Sequence, residues 1–143
     1  MAIGYESPSV QSYLNILQSV INRMAGNSSS CKTWCVTLVS AIVVIIAEKG
    51  KIQYISISAV PIALFLLLDA YYLGLEKLFR ELYNSFVRKL HNNTATIDDV
   101  FIVRPGTKTE LFWATMDSFW SPAVLPFYGL LGLMLYIISR IIK

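Results

Sequence analysis

The chain has 143 residues, of which 55% are hydrophobic and only 15% are charged, and its formal net charge is +3. A soluble domain carries about 25% charged residues, so this composition excludes an ordinary globular enzyme and predicts an integral membrane protein. The small positive charge also excludes a strongly basic nucleic-acid binder, and we expect no nucleic-acid partner.

The two cysteines, Cys31 and Cys35, are too few for a disulfide framework or for a structural zinc site, which needs about four ligands. We interpret both as reduced, small apolar residues, and the alternative is a redox-active or acylated thiol at the membrane edge. The N-terminus lacks a basic region followed by an apolar core, so we do not interpret it as a secretory signal. Targeting is expected to come from the first transmembrane segment.

Residues 9–24 predict an amphipathic helix that starts at Ser7 and Pro8. Its apolar residues recur at helical spacing, while amide, serine and arginine side chains occupy the other side. This helix is too polar to span a bilayer, so it either lies along the membrane surface or packs on a cytosolic part of the chain. The polar run at residues 26–30 is predicted to end this helix and to cap the next one.

Two apolar segments follow, joined by a tight polar connection. Residues 33–47 form the first predicted span, although about 15 apolar residues are few for a hydrocarbon core of about 30 Å. Residues 52–75 form the second, in which Pro61 is expected to introduce a kink or a free carbonyl. The helical pattern continues without a break to residue 91, which predicts that this helix leaves the bilayer and extends into the cytosol.

The rest of the chain is predicted to form a cytosolic connector, residues 92–120, and a third span, residues 122–139. Within the connector, residues 96–103 (TIDDVFIV) predict a short strand or an extended docking segment. Residues 109–120 predict a short interfacial helix, because their four aromatic side chains suit the belt at a membrane surface.

The distribution of Lys and Arg predicts the orientation. With three spans, the N-terminal segment lies on the same side of the membrane as the chain between the second and third spans, residues 76–120. Together they carry eight of the 12 Lys and Arg residues. The positive-inside rule then places both in the cytoplasm and the C-terminus outside. If the third segment re-enters the membrane instead of spanning it, the C-terminal tail is cytoplasmic as well.

Asp69 is the most informative residue, because a carboxylate at membrane depth is costly and commonly functional. At about 100° per residue it shares a helix face with Tyr72, Glu76, Arg80 and Tyr83, and these five form a polar stripe along the extended helix. Glu76 and Arg80 have the i, i+4 spacing of a helical ion pair.

The polar stripe has two interpretations. It is either ordinary contact between helices at the membrane surface, or a gate or sensor in which several copies surround an axis and Asp69 faces a water path. Asp69 needs a partner, and Arg23 or Lys32 are within reach if the first helix folds back on the second. A second copy of the chain is the favoured neighbour of the stripe, and the first helix of the same chain is the alternative.

Arg23, Asn27 and Lys32 are candidate contacts for an anionic ligand or a partner. They flank the predicted start of the first membrane helix, where the positive end of the helix dipole favours anions. The alternative role of Arg23 and Asn27 is helix capping and satisfaction of backbone groups. No nucleophile–base pair, metal-ligand cluster or phosphate loop accompanies these residues, so we predict no catalytic site, no metal and no cofactor.

Two sequence blocks carry a resemblance to known proteins. The blocks are NRMA-x-NS at residues 22–28 and LDAYYL-x-x-E-x-x-FR-x-LY at residues 68–83. They resemble a group of small bacterial multi-span membrane proteins of uncharacterised function, over most of residues 10–90. The resemblance implies a bacterial inner-membrane protein with this helical layout. In size and layout the group is similar to the membrane effectors of anti-phage defence systems.

Together these observations predict an all-α membrane protein with three transmembrane helices, an N-terminal amphipathic helix and a cytosolic extension of the second span. We expect a non-enzymatic homo-oligomer in the bilayer that acts as a signal-gated membrane effector or pore. Its trigger would be a soluble cytosolic sensor protein or a small signalling ligand. The alternative is a membrane anchor or scaffold that recruits a soluble partner through the apolar face of the extended helix and the TIDDVFIV segment.

Overall fold

The computed structural model describes residues 4–141, and no β-strand occurs in that range. Its four α-helices are α1 (Pro8–Glu48), α2 (Ala59–His91), α3 (Lys108–Phe119) and α4 (Leu125–Ile141). Two short 3-10 helices, Ile52–Ser58 and Ile97–Asp99, lie before and after α2. Of the two forms predicted for residues 96–103, the strand is therefore not formed, and the segment is a single turn followed by extended chain.

The first two helices pack antiparallel over most of their length. Tyr13 of α1 meets Phe86 near the end of α2, with ring centroids 4.8 Å apart. Farther along α1, Ser28 hydrogen-bonds to Asp69 of α2. The contact therefore moves toward the start of α2 as α1 proceeds, which is the mark of an antiparallel pair.

The last two helices form the third layer of the bundle and run back along α2. Lys77 of α2 pairs with Asp117 of α3 at 2.6 Å. The Tyr128 hydroxyl of α4 donates to the Phe65 carbonyl of α2 at 3.1 Å. A turn at residues 120–124 separates α3 from α4, so this layer is an interrupted helix where the other two are continuous.

The predicted end of the first helix at residues 26–30 was wrong, because α1 continues through them as one helix of 41 residues, about 62 Å long. The polar side chains of this run are satisfied without ending the helix. The Ser30 hydroxyl donates to the Gly26 carbonyl at 2.9 Å, one turn earlier, and Ser28 is buried against α2. The predicted amphipathic helix and the predicted first span are therefore two halves of α1.

The second helix confirms the predicted extension but not the predicted start. Its α-helical part begins at Ala59, and residues Ile52–Ser58 wind more tightly as a 3-10 helix. Pro61 therefore lies in the first turn of α2, directly after the 3-10 helix, so its missing N–H falls near the junction of the two helical forms. Helix α2 then runs to His91, as the apolar periodicity predicts.

By length and composition, two helices in the described range are able to cross a membrane, Pro8–Glu48 and Gln53–His91. Helix α4 is also apolar, but its 17 residues are fewer than the roughly 20 that a typical span requires.

The interior consists of two apolar cores at opposite ends of the bundle. One core joins α1 to the C-terminal half of α2, and its buried residues are Val10, Tyr13, Leu17, Ile21, Met24, Phe79, Phe86, Leu90, Ala95 and Val100. The other joins α1 to α4, and its buried residues are Cys35, Val39, Val124, Tyr128 and Leu131. Of the two settings predicted for residues 9–24, the structure therefore shows packing on the extended helix.

The segment after α2 is fixed to the first core by side-chain contacts. Lys89 pairs with Asp99 at 2.6 Å, and the Tyr13 hydroxyl donates to the Ile102 carbonyl at 2.5 Å. Asp99 also accepts hydrogen bonds from the backbone N–H and the hydroxyl of Thr96, which completes a capping box. The hydrogen bond from Lys89, with that from the Thr96 backbone, lowers the pKa of Asp99.

This lowered pKa predicts an acid-sensitive contribution to stability. A carboxyl whose pKa is lower in the folded state stabilises the fold above its unfolded pKa and loses that effect as the pH falls through the folded value. Because Lys89 is half exposed, the Asp99→Asn variant is expected to lose less than about 1 kcal/mol at pH 7. Melting temperatures of the two proteins should converge as the pH falls through the lowered, folded-state pKa of Asp99. A gap that persists at low pH would contradict an ionic origin.

Candidate functional site at a buried carboxylate

Asp69 lies between the two apolar cores and has no exposed surface. One carboxylate oxygen accepts a hydrogen bond from the Ser28 hydroxyl, and the other lies 2.6 Å from Lys32 Nζ. The same ammonium donates to Ser28 Oγ at 3.3 Å, so each of the three side chains contacts the other two. Two side chains come from α1 and one from α2, and the contact therefore joins the two long helices.

The third layer of the bundle closes this site through Tyr128 of α4. Its side chain is 6% exposed, and its hydroxyl donates a hydrogen bond to the carbonyl of Phe65, which lies one turn before Asp69 on α2. Through this bond Tyr128 ties α4 to the stretch of α2 that carries Asp69. We refer to Ser28, Lys32, Asp69 and Tyr128 as the Asp69 cluster, which connects all three layers at one level.

The two cysteines line the same region of α1 without entering the cluster. Cys31 and Cys35 are both free and buried. Cys35 belongs to the apolar core between α1 and α4, which agrees with the interpretation of a small apolar residue.

Forming the Asp69 cluster costs desolvation free energy, and removing one of its charged partners costs more. Transfer of two charges from water into a protein interior carries a desolvation penalty that their attraction only partly offsets. Removal of one partner leaves the other charge without compensation, which is worse than the loss of both. Lys32 retains a route to water, since 22% of its side chain is exposed. The ion pair therefore holds α1 and α2 together in one arrangement and opposes any arrangement that separates its charges.

Most of the polar stripe faces α1 of the same chain. Tyr72 and Tyr83 pack against the core that α1 forms with α2, and Glu76 pairs with Arg80 at 2.8 Å as the i, i+4 spacing predicts. Asp69 has its partners on α1, as the alternative hypothesis expects, whereas the Arg80 side chain is 61% exposed. A second copy of the chain against the exposed part of the stripe stays a prediction.

The three predicted ligand contacts separate in the structure. Lys32 reaches Asp69, whereas Arg23 is exposed on the surface of α1 and Asn27 is only partly buried. Because α1 has no N-terminus near residue 28, its backbone N–H groups there are bonded within the helix. The helix-dipole argument for an anion site at these residues therefore fails.

Sequence reasoning missed two members of the cluster, Ser28 and Tyr128. Ser28 was assigned to a helix cap that does not exist, although its spacing of four residues from Lys32 places both on one face. Tyr128 lies in an apolar segment, where a tyrosine hydroxyl needs a hydrogen-bond partner, and that requirement was the available signal.

The Asp69 cluster is better arranged to stabilise one conformation of the helices than to carry out covalent chemistry. Both carboxylate oxygens are occupied by side chains of the same protein. Over residues 4–141, no group of three or more His, Cys, Asp or Glu side chains is placed to hold a metal ion. No protein-family model, no curated protein and no solved structure matches this chain.

Proposed function

We propose that the chain is a homo-oligomeric protein of the bacterial inner membrane and acts as a signal-gated membrane effector or pore of an anti-phage defence system. In this proposal the apolar halves of α1 and α2 and the whole of α4 span the bilayer. The N-terminus and residues 76–120 are cytoplasmic. The observation that carries the proposal is the position of the Asp69 cluster on two helices that run unbroken between the polar and apolar ends of the bundle.

Exposed aromatic side chains support the proposed depth of the cluster. Trp34, Phe112, Trp113 and Trp120 are between 56% and 77% exposed. Trp34 lies two residues beyond Lys32 on α1, and α3 packs beside Gly74 of α2. These side chains therefore surround the bundle near the level of the cluster, as expected for aromatic residues at a membrane–water interface.

Continuous helices explain how a cytosolic event would reach the membrane. A protein or small ligand that separates the cytosolic halves of α1 and α2 would act on the Lys32–Asp69 pair directly, because no flexible joint intervenes. With the pair opened, both charges would favour water over a closed interior. The trigger would need to bind the separated arrangement more tightly, since only differential affinity shifts such an equilibrium.

Helix α4 is the element best placed to respond. An open apolar groove of about 320 Å³ lies between it and α1, and a second of about 530 Å³ lies between it, α2 and α3. Along these grooves α4 has few protein neighbours, so few dispersion contacts would be lost if it moved. Tyr128 joins this helix to the Phe65 carbonyl, one turn from Asp69, so a movement of α2 at Asp69 would reach α4 through this bond.

The proposal predicts that Asp69→Asn permits ion leakage without a trigger. We expect the full-length variant in proteoliposomes to leak at least about tenfold faster than the wild type, because an equilibrium shift of 1.4 kcal/mol already gives that factor. Asp117→Asn is the matched control, since Asp117 also pairs with a lysine at 2.6 Å but is 76% exposed. Equal leakage in wild type, variant and control would contradict the proposal.

The alternative function, a membrane anchor that recruits a soluble partner, now depends on a smaller surface. The apolar face of the extended helix is covered, since Phe79 and Phe86 are buried in the core with α1. The segment at residues 97–103 presents four exposed apolar side chains to a partner.

A further inference from the structure

Residues 97–103 present an apolar patch outside both cores. Four of these seven residues have exposed apolar side chains: Ile97 is 62% exposed, Phe101 54%, Ile102 46% and Val103 39%. We refer to these four as the connector patch. Scattered apolar residues are common on protein surfaces, but four within one short segment mark a binding surface when the segment is held in place.

Several contacts hold the connector patch in one conformation. Val100 is buried in the core between two of the patch residues, and the Ile102 carbonyl accepts a hydrogen bond from the Tyr13 hydroxyl. Phe101 has a φ of 68°, in the left-handed region that a bulky residue rarely adopts. Its ring is 54% exposed and approaches Tyr13 edge-on, with 6.0 Å between ring centroids.

Lipid does not cover the connector patch in the proposed orientation. Lys89, which is bound to Asp99, lies about 30 Å beyond Asp69 along α2, at 1.5 Å per residue. The headgroup layer of a bilayer is less than about 8 Å thick on each side. The patch therefore lies well inside the cytosol and requires a protein neighbour.

The size of the patch favours one kind of neighbour. Four partly exposed side chains offer a few hundred square ångströms, whereas a stable complex of soluble proteins buries about 800 Å² on each partner. Copies confined to one membrane meet at high effective concentration, as tethered modules do, and a small contact is then sufficient. A second copy with the same orientation also carries its own patch at the same height above the membrane.

We infer that the connector patch is the contact between the cytosolic parts of neighbouring copies of this chain. This inference rests on the proposed function, in which the chain forms a homo-oligomer. It assigns the cytosolic interface of that oligomer to Ile97, Phe101 and Ile102. The intramolecular partners of Asp69 agree with this assignment, because this carboxylate is already engaged by α1 of the same chain and is not available to join copies.

Cysteine cross-linking of the full-length chain in membranes tests the inference. Ile97→Cys is expected to give a dimer with a short bifunctional maleimide, while Asn22→Cys, exposed on α1, serves as the control position. The buried native cysteines set the background, which is measured in the wild type. Adding Phe101→Asn to Ile97→Cys is expected to lower the dimer yield at least fivefold, since asparagine accepts a positive φ but has no apolar ring.

Two further variants keep the outcome interpretable. Ile102→Thr retains a β-branched side chain in the extended segment and is expected to act like Phe101→Asn. Ile16→Gln removes a 38% exposed apolar residue of α1 outside the patch and is expected to leave the yield unchanged.

Three results would overturn the inference. These are no dimer from Ile97→Cys above the Asn22→Cys control, full yield in both patch variants, or a cross-link of Ile97→Cys to a different protein, which would support the anchor function. Leakage of the Asp69→Asn variant is measured on a chain without added cysteines. Failure of the contact and failure of the proposed gating are therefore separate results.

Discussion

Replacement of Asp69 by alanine is expected to lower the free energy of unfolding by about 3 kcal/mol. The variant leaves the Lys32 ammonium and the Ser28 hydroxyl without their partner at a fully buried position. Breaking a buried pair typically costs about 3–5 kcal/mol. The lower end applies here, because Lys32 is 22% exposed and is able to turn its charge toward water.

The double variant Lys32→Met/Asp69→Leu distinguishes charge from packing. It removes both charges and fills a similar volume, so it is expected to recover most of the stability that Asp69→Ala loses. Thermal unfolding of the full chain in detergent, followed by circular dichroism, gives the comparison. We expect a melting temperature roughly 10 °C lower for the single variant. A double variant as unstable as the single one would show that the pair does not act through its charges.

Alanine at two glycines inside helices is expected to change stability in opposite directions. At Gly74 an added Cβ would lie 2.9 Å from the Thr115 backbone nitrogen and 3.1 Å from the Ala114 carbonyl carbon, so α3 must move away from α2. Overpacking of this kind costs about 1–3 kcal/mol. At Gly26 no atom lies within 4 Å of an added Cβ, and the better helix propensity of alanine is worth about 1 kcal/mol.

The two glycine variants are a matched pair, since each changes one hydrogen to a methyl group within a helix. We expect Gly74→Ala to unfold at a lower temperature than the wild type and Gly26→Ala at a higher one. Movement of α3 should also loosen the Lys77–Asp117 pair, so chemical labelling of Lys77 is expected to rise only in the first variant. Stabilisation by Gly74→Ala would show that α3 is not held against α2 by close contact.

The glycine at position 26 also shows where local sequence signals mislead. A glycine followed by an amide and three serines is typical of a helix end and a new cap. Capping is worth only about 1 kcal/mol, and the burial of Ser28 against α2 is a tertiary contact that favours a continuous helix. The length of α1 was therefore decided by packing, against the local pattern.

The helical class, two apolar segments that lie in helices long enough to cross a membrane, the extension of α2 to His91 and the Glu76–Arg80 pair were predictable from local patterns. Each depends on apolar periodicity or on an i, i+4 spacing, which are properties of a single helix. The choice of Ser28 and Lys32 of the same chain as the partners of Asp69 came from the packing of α1 against α2. That choice depends on the distance between helices whose contacting residues are about 40 positions apart, and no period within one helix encodes such a distance.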